Sequence, residues 1–219
     1  MENPKVFISV GGTANSKQED FVKLIEDRLR SENLNPCTVG RNNFSASSPL
    51  IAVKELMNDC SGILVIALER TFFEKGLDKR GGSKETNLTN IKLATPWNQI
   101  EPAMAYIKDL PILVILENGI RDEGLLEKGY DWYVMTVTPD QQSLTTLEFN
   151  GVLASWKKKV EQFDQNKSNP SLTKKIVPGD LTVGELITGM KPAQLWGVLA
   201  ALAALMIGIF IIGQHFPAK

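Results

Sequence analysis

Short apolar runs alternate with amphipathic segments along the first 163 residues of the chain. Runs of roughly four to eight mostly apolar residues are typical of strands that are buried on both faces of a parallel sheet. Segments whose apolar residues recur at every third or fourth position are typical of helices with one buried face. The pattern predicts strands at residues 5–10, 36–39, 61–68, 110–116 and 132–137.

Helical segments separate most of these strands and are predicted at residues 18–33, 50–60, 97–106 and 143–163. The resulting order, β-α-β-α-β-α-β-β-α, predicts an α/β fold with a doubly wound, mainly parallel five-stranded sheet. We expect the third helix to begin with Thr95 as its N-cap and Pro96 as its first residue. Residues 69–94 are charged and contain Gly81-Gly82, which predicts a long functional or mobile loop.

The end of the sequence is different in character, because no charged or strongly polar residue occurs from Leu195 to Gly213. At about 1.5 Å per residue, a helix of this length matches the ~30 Å hydrocarbon thickness of a bilayer. The run therefore predicts a single C-terminal transmembrane helix. Lys174, Lys175 and Lys191 precede it and only Lys219 follows. The positive-inside rule then places the large N-terminal domain in the cytoplasm, with the anchor in the inner (cell) membrane.

These features divide the chain into four parts: a domain at 1–163, a polar linker with room for a short amphipathic helix at 164–192, a membrane helix at 193–216 and a tail at 217–219. Within the membrane helix, Ala200, Ala204 and Gly208 recur at four-residue spacing. Small residues let helices approach closely in lipid, which favours a homo-oligomer. The alternative is that alanine is simply common in membrane spans.

Charge and composition exclude several classes of function. The 24 Lys and Arg residues nearly balance the 25 Asp and Glu residues, so nucleic acid is not an expected partner. Cys37 and Cys60 are isolated, which predicts buried reduced thiols. The single histidine, His215, follows the apolar run, which excludes histidine-based nucleophilic and metal chemistry from the domain. We expect no metal and no cofactor.

Glu101 is the leading candidate for catalysis. It lies in the segment that leads into the buried strand at 110–116, near the edge where α/β sheets bind ligands. Pro102 disfavours helical geometry at the preceding residue, so we expect Glu101 to lie at a break in the helix. The alternative is an ordinary surface carboxylate near a helix start, where the helix dipole favours it.

A ligand-binding loop is expected where the first strand ends, at Val10, Gly11, Gly12 and Thr13. The two glycines let the backbone approach a ligand closely, and the amides and the Thr13 hydroxyl suit a phosphate. The pattern is not the GxGxxG of dinucleotide-binding folds.

Four more side chains are candidates for contacts with a nucleotide. Arg41 could pair with a phosphate through two hydrogen bonds, and Trp97 could stack on a base or on nicotinamide. Asp59 could hydrogen-bond a ribose, and Arg70 could bind at the same rim. Their structural alternatives are a core residue for Trp97, a turn residue for Asp59 and a solvated charge for Arg70.

Several of these segments resemble a TIR-type domain. The opening strand KVFISV is similar to the first strand of that family, and Trp97-Asn98-Gln99-Ile100-Glu101 is similar to its W-C-x-x-E segment, with Asn98 where cysteine is usual. The Glu-x-x-x-Ala pattern of Glu101 and Ala105 also resembles nucleoside 2-deoxyribosyltransferases. The likeness extends over roughly residues 5 to 163.

The resemblance implies a TIR/flavodoxin-like fold and a chemistry. In both families the matching glutamate acts at the anomeric carbon of a nucleoside or of the NAD ribose, so Glu101 is expected to help cleave an N-glycosidic bond. A carboxylate suits this role because it stabilises the oxocarbenium-like charge that develops on the ribose.

The implied protein is a membrane-anchored enzyme that cleaves NAD or a related nucleotide, becomes active on assembly and serves bacterial antiphage (abortive infection) defence. One alternative is a non-catalytic nucleotide sensor that oligomerises and disrupts the membrane. The other is a TIR-type signalling scaffold.

Overall fold

The computed structural model describes residues 2–168. Within this range the strands and helices are β1 Lys5–Val10, α1 Ser16–Ser31, β2 Asn35–Cys37, α2 Pro49–Asp59, β3 Gly62–Ala67, β4 Thr71–Asp78, β5 Thr86–Leu93, α3 Trp97–Ile107, β6 Ile112–Glu117, β7 Tyr133–Val137 and α4 Leu147–Ser168.

The main sheet has the strand order β2-β1-β3-β6-β7, and every neighbouring pair is parallel. The predicted five-stranded α/β sheet is therefore confirmed. The chain winds from β1 to β2 on one side and from β3 to β7 on the other, so the direction of winding reverses between β1 and β3. In such sheets the crevice at this reversal, outside the carboxyl ends of the strands, is where ligands bind.

Helices cover both faces of the sheet. On one face, Phe21 of α1 and Phe149 of α4 are fully buried in a common apolar cluster. On the other face, Met57 of α2 and Ala105 of α3 belong to a second cluster. Each residue of β3 is buried, as its all-apolar sequence predicts for the central strand.

The loop predicted over residues 69–94 is instead a β-hairpin, in which β4 and β5 pair antiparallel over their lengths. Most residues of β4 and half of those of β5 are exposed, and the others are only partly buried. Because few of their side chains face the core, the sequences of these strands lack the continuous apolar run that identifies a buried strand. The sequence features that account for the hairpin are its Thr, Phe and Ile residues, which favour extended backbone, and the turn at Gly81-Gly82.

The start of α3 also differs from the prediction. The helix begins at Trp97, and the preceding Pro96 has helical backbone angles and no side-chain cap. The Thr95 hydroxyl is therefore not an N-cap, because Pro96 occupies that position. The helix continues through Pro102, so the break predicted at Glu101 does not occur. Proline has a φ value that suits a helix, and only one backbone hydrogen bond is lost.

The last helix of the described region begins at Leu147, because residues Gln142–Thr145 form a separate 3-10 turn. It continues to Ser168, so the linker predicted from residue 164 begins inside a helix. Within residues 2–168, no helix is long and apolar enough to cross a membrane. The predicted membrane helix at 193–216, most of the linker and the tail lie outside the described residues.

Candidate functional site

A recess lies at the point where the winding of the sheet reverses. Its walls are the loop after β1, the loop after β3 and the first turn of α3. Gln18 of α1 closes one side: its side chain accepts a hydrogen bond from Ala14 N at 2.7 Å and donates one to the Glu69 carbonyl at 2.9 Å. The lining residues are Gly11, Gly12, Thr13, Gln18, Leu68, Glu69, Arg70, Thr95 and Asn98.

The two glycines have different roles in the recess. A Cβ atom at Gly11 would lie 2.8 Å from the methyl group of Thr95, so a larger residue there would displace the approach to α3. At Gly12 the nearest atom is Nη1 of Arg70, at 3.7 Å, which leaves room for a methyl group. Arg70 donates to the Gly12 carbonyl at 3.1 Å and so joins the loops that follow β1 and β3.

Asn98 is the most unusual polar group of the site. The side chain is fully buried, and its amide nitrogen donates to the Ser9 carbonyl and to Ser9 Oγ, both at 3.1 Å. Its Oδ1 atom has no hydrogen-bond partner. A buried acceptor without a partner is costly, so it is a place where a donor group of a ligand or a water would be stabilised.

Glu101 lies one helical turn after Asn98 and is only 7% exposed. Burial raises the pKa of Glu101 to about 7, whereas a hydrogen bond from the Ser9 hydroxyl acts in the opposite direction. The carboxyl group is therefore divided between its neutral and ionised forms near neutral pH. Perturbed carboxyl groups of this kind are typical of sites that perform acid–base or electrostatic catalysis.

The recess is nearly closed in this conformation. Its volume is about 10 Å³, which is close to the minimum for one water molecule. Glu101 lines neither this recess nor the larger cleft beside it. In this conformation the carboxyl group is therefore not open to a substrate from either of these two cavities.

The larger cleft, of about 700 Å³, opens at the same edge of the sheet on the side of α1 and α4. Gln18, Glu69 and Arg70 form the wall that it shares with the recess. Its volume is in the range of small-molecule sites. Charged side chains of both signs line it, including Lys17 and Asp140.

Arg41 does not present a free guanidinium to the recess. It donates to both carboxylate oxygens of Glu19 at 3.0 Å and to Glu26 at 3.3 Å. Glu19 in turn accepts a hydrogen bond from the Thr13 hydroxyl at 2.9 Å. Because a carboxylate stands between Arg41 and the loop, a phosphate could reach this arginine only by displacing Glu19.

The remaining sequence-predicted residues fall into two groups. Val10 ends β1 beside the recess and is partly buried against the apolar cluster that contains Phe21. Trp97 is also partly buried, but it packs on the opposite face of the sheet. Asp59 ends α2 ahead of β3, which places it at the amino edge, away from the recess. The structure thus brings Val10 together with the glycine loop and Arg70, and separates Asp59 from them.

Sequence reasoning missed Gln18 as a site residue and noted Asn98 only as a departure from the TIR-type motif. Both were detectable as polar residues at helix positions that the apolar spacing assigns to the core. Gln18 shares the buried face of α1 with Phe21 and Val22, and Asn98 shares that of α3 with Glu101. A polar residue on the buried face of an amphipathic helix requires a specific partner.

No protein-family model and no curated protein matches the chain. Among solved structures, the chain is similar to the Clostridium botulinum CMP N-glycosidase BcmB, at 12% identity and a TM-score of 0.40, over 69% of this chain and 98% of that one. It is also similar to a conserved protein from Enterococcus faecalis V583, at 12% identity and a TM-score of 0.34, over 74% of this chain and 98% of that one. Similarity at this level assigns no activity to the chain.

Proposed function

We propose that this protein is a nucleotide N-glycosidase, with NAD or a related nucleotide as its substrate and Glu101 as its catalytic residue. The observation that carries the proposal is the buried carboxyl group of Glu101, beside Ser9 and one turn from Asn98, at the edge of the sheet where α/β folds bind ligands. The likeness of the Trp97–Glu101 segment to the TIR-type motif points to the same residue.

The proposed reaction needs few groups. As the C–N bond of the nucleoside breaks, its electron pair leaves with the base and positive charge develops on the ribose. The ionised Glu101 carboxylate would stabilise that charge until a water molecule attacks the anomeric carbon and gives up a proton to Glu101. The unpartnered Oδ1 of Asn98 would accept a hydrogen bond from a ribose hydroxyl or from an amide of the base.

The closed recess is consistent with an enzyme that acts only when assembled. Glu101 must be uncovered before a ribose can approach it, and a contact between copies could supply the necessary movement. In this proposal the apolar run at residues 195–213 anchors the chain in the cell membrane and raises its local concentration. Antiphage defence is the biological setting that the TIR resemblance implies.

The test is NAD consumption by the full-length protein in liposomes at high protein density, beside Glu101→Gln. We expect Glu101→Gln to reduce the rate by at least about 100-fold. Asp109→Asn is the matched control, because this exposed residue follows α3 and has a left-handed backbone (φ 56°) that asparagine tolerates. Equal rates for Glu101→Gln and the wild type would refute the catalytic role.

A second candidate function, a nucleotide sensor without turnover, is favoured by one observation. The cleft of about 700 Å³ is large enough for a nucleotide, yet Glu101 does not line it. Saturable binding of NAD or another nucleotide by both the wild type and Glu101→Gln, without product, would support the sensor. The absence of both binding and turnover would leave a TIR-type signalling scaffold as the remaining function.

A further inference from the structure

The β4–β5 hairpin is an exposed element that the proposed chemistry does not use. Phe72, Phe73 and Leu77 are 46%, 48% and 46% exposed, respectively. Within residues 2–168 the two strands form a separate two-stranded sheet. Apolar side chains of this size at the surface are typical of a site that contacts a partner.

The two faces of the hairpin differ in charge. Side chains alternate between faces along a strand, so Phe73, Lys75 and Leu77 of β4 share one face. Thr89 and Ile91 of β5 lie opposite Lys75 and Phe73 on that same face. This face, which we term the apolar face, carries no acidic residue.

The acidic residues of β4 both lie on the other face. They are Glu74 and Asp78, and Asp78 forms an ion pair with Arg121 at 3.4 Å. Phe72 shares this face with them. The hairpin therefore separates an apolar, cationic side from a side that carries the carboxylates.

The turn between the strands adds more positive charge. Lys79, Arg80 and Lys84 are exposed there, and none of them pairs with a carboxylate of the described residues. Glu85 is the only acidic residue of the turn, and its carboxylate accepts a hydrogen bond from Gly81 N at 2.6 Å. The chain as a whole has a net charge of −1, so this cationic turn is a local feature.

We propose that the β4–β5 hairpin docks on an anionic lipid surface through its apolar face and its cationic turn. Phe73 and Leu77 would enter the interface between headgroups and acyl chains, while Lys75 and the turn would lie among the anionic headgroups. The inference rests on the proposed membrane anchoring, which would hold the hairpin beside such a surface. The experiments below measure docking by the hairpin and membrane anchoring separately.

The length of the chain is compatible with this arrangement. Lys167, near the end of α4, donates to the Asn58 carbonyl, which places that end of the helix at the amino edge of the sheet, whereas the hairpin leaves from the carboxyl edge. A domain of this size has a diameter of about 40 Å. Residues 169–194 can reach up to about 85 Å when extended, which is more than enough to pass the domain.

Docking would also bring the candidate site close to the lipid. The hairpin leaves the domain directly after Arg70 and ends at Leu93, one residue short of neighbouring Thr95 in the chain, and both Arg70 and Thr95 line the recess. Its base is fixed there by a hydrogen bond from Arg70 N to the Leu93 carbonyl at 2.9 Å and by the Glu69–Lys92 ion pair at 2.6 Å. A contact at the hairpin is therefore connected to two of the three walls of the recess, the loop after β3 and the start of α3.

The experiment uses the full-length protein with vesicles that contain or lack an anionic phosphoglycerol lipid. A polarity-sensitive fluorophore is attached at Ser83→Cys in the turn, and quenching by spin-labelled lipid is measured. Both native cysteines are buried and leave the new thiol as the accessible one. Ser31→Cys at the end of α1 is the control site at the opposite edge of the sheet. We expect quenching at Ser83→Cys, only with anionic lipid, and none at Ser31→Cys.

Phe72 and Phe73 provide a matched pair, because they are adjacent, almost equally exposed and on opposite faces. Phe73→Ser should weaken docking about tenfold, and Phe72→Ser should leave it unchanged. Replacing Lys79, Arg80 and Lys84 by glutamine should weaken docking on the order of 100-fold. Equal effects of the two phenylalanine changes would overturn the proposal, as would quenching that is insensitive to the three charges.

Vesicle flotation tests the proposed membrane anchoring independently of docking by the hairpin. Flotation with neutral vesicles but no quenching at Ser83→Cys in anionic ones would overturn the hairpin proposal and leave the anchor. Quenching with anionic vesicles but no flotation with neutral ones would support the hairpin contact and refute the anchor. Disulfide cross-links between two copies of the unlabelled Ser83→Cys variant, without quenching of the labelled one by lipid, would show that a second copy covers the hairpin and would overturn the proposal.

Discussion

The burial of Glu101 makes a quantitative prediction about how stability depends on pH. The pKa of this carboxyl group is about 7 in the folded protein, raised by burial from an ordinary value of 4.5. Between these values the folded state binds more protons than the unfolded state, so the free energy of unfolding must fall as the pH rises. Each pKa unit is worth about 1.4 kcal/mol, so the loss is about 3 kcal/mol and is nearly complete by about pH 8.

Replacing Glu101 by glutamine should remove this loss, because the amide has a similar shape and does not ionise. We expect Glu101→Gln and the wild type to be similar in stability near pH 4.5, and Glu101→Gln to be more stable by about 3 kcal/mol at pH 8. Urea unfolding of the full-length protein in detergent, followed by tryptophan fluorescence across this pH range, measures the difference.

Glu26→Gln is the control for this experiment. Glu26 is also 7% exposed, but it forms ion pairs with Arg30 at 3.5 Å and Arg41 at 3.3 Å. Its replacement should destabilise the fold, because two guanidinium groups lose a partner. If Glu101→Gln changed stability by the same amount at pH 5 and at pH 8, the carboxyl group would not be buried as described and the reasoning would fail.

Two further predictions concern the loops around the recess. Arg41→Ala should destabilise the fold by about 1 kcal/mol at pH 7. Hydrogen bonds from Arg41 lower the pKa of Glu19 to about 2. The difference in stability between Arg41→Ala and the wild type should therefore disappear in acid-unfolding curves as the pH falls from about 5 to 2. A difference that stayed constant would contradict the assignment. Gly11→Ala should cost about 1–3 kcal/mol in thermal unfolding, because its Cβ meets the Thr95 methyl at 2.8 Å, and Thr95→Ser should restore most of the loss. Gly12→Ala is the control with room for a methyl group, and a cost equal to that of Gly11→Ala would refute the steric account.

The main sheet was predictable because its strands are buried on both faces. Ile63 to Ala67 and Leu113 to Leu116 are apolar without interruption, and their short length favours buried strands over helices. The hairpin was not predictable by the same rule, since its strands form a ladder with each other outside the main sheet and no residue of either strand is fully buried. Its signal was the weaker one of residue preference for extended backbone, which a search for buried runs overlooks.

The candidate site was predictable only in part, because several of its contacts join residues that are far apart in sequence. Glu101 was found through a local motif and its place before a buried strand. The assignment of Arg41 to a phosphate could not anticipate Glu19 and Glu26, which lie 22 and 15 residues away and meet it only in the folded chain. A charged residue in a polar loop carries no sign of its partner, so its role depends on tertiary structure.

Burial of Glu101 explains why part of its carboxyl group is neutral near pH 7. While α3 and the loop after β1 remain in contact, the carboxyl group is largely shielded from water and its pKa is about 7. Separation of α3 from the loop after β1 would hydrate the carboxyl group of Glu101 and lower its pKa towards the ordinary value of 4.5. At neutral pH the ionised fraction of Glu101, which the proposed cleavage requires, would then rise from about half to nearly all as the site opens. Access of substrate and the charge of Glu101 would thus be controlled by one structural change, and an enzyme built in this way would stay inactive until that change occurs.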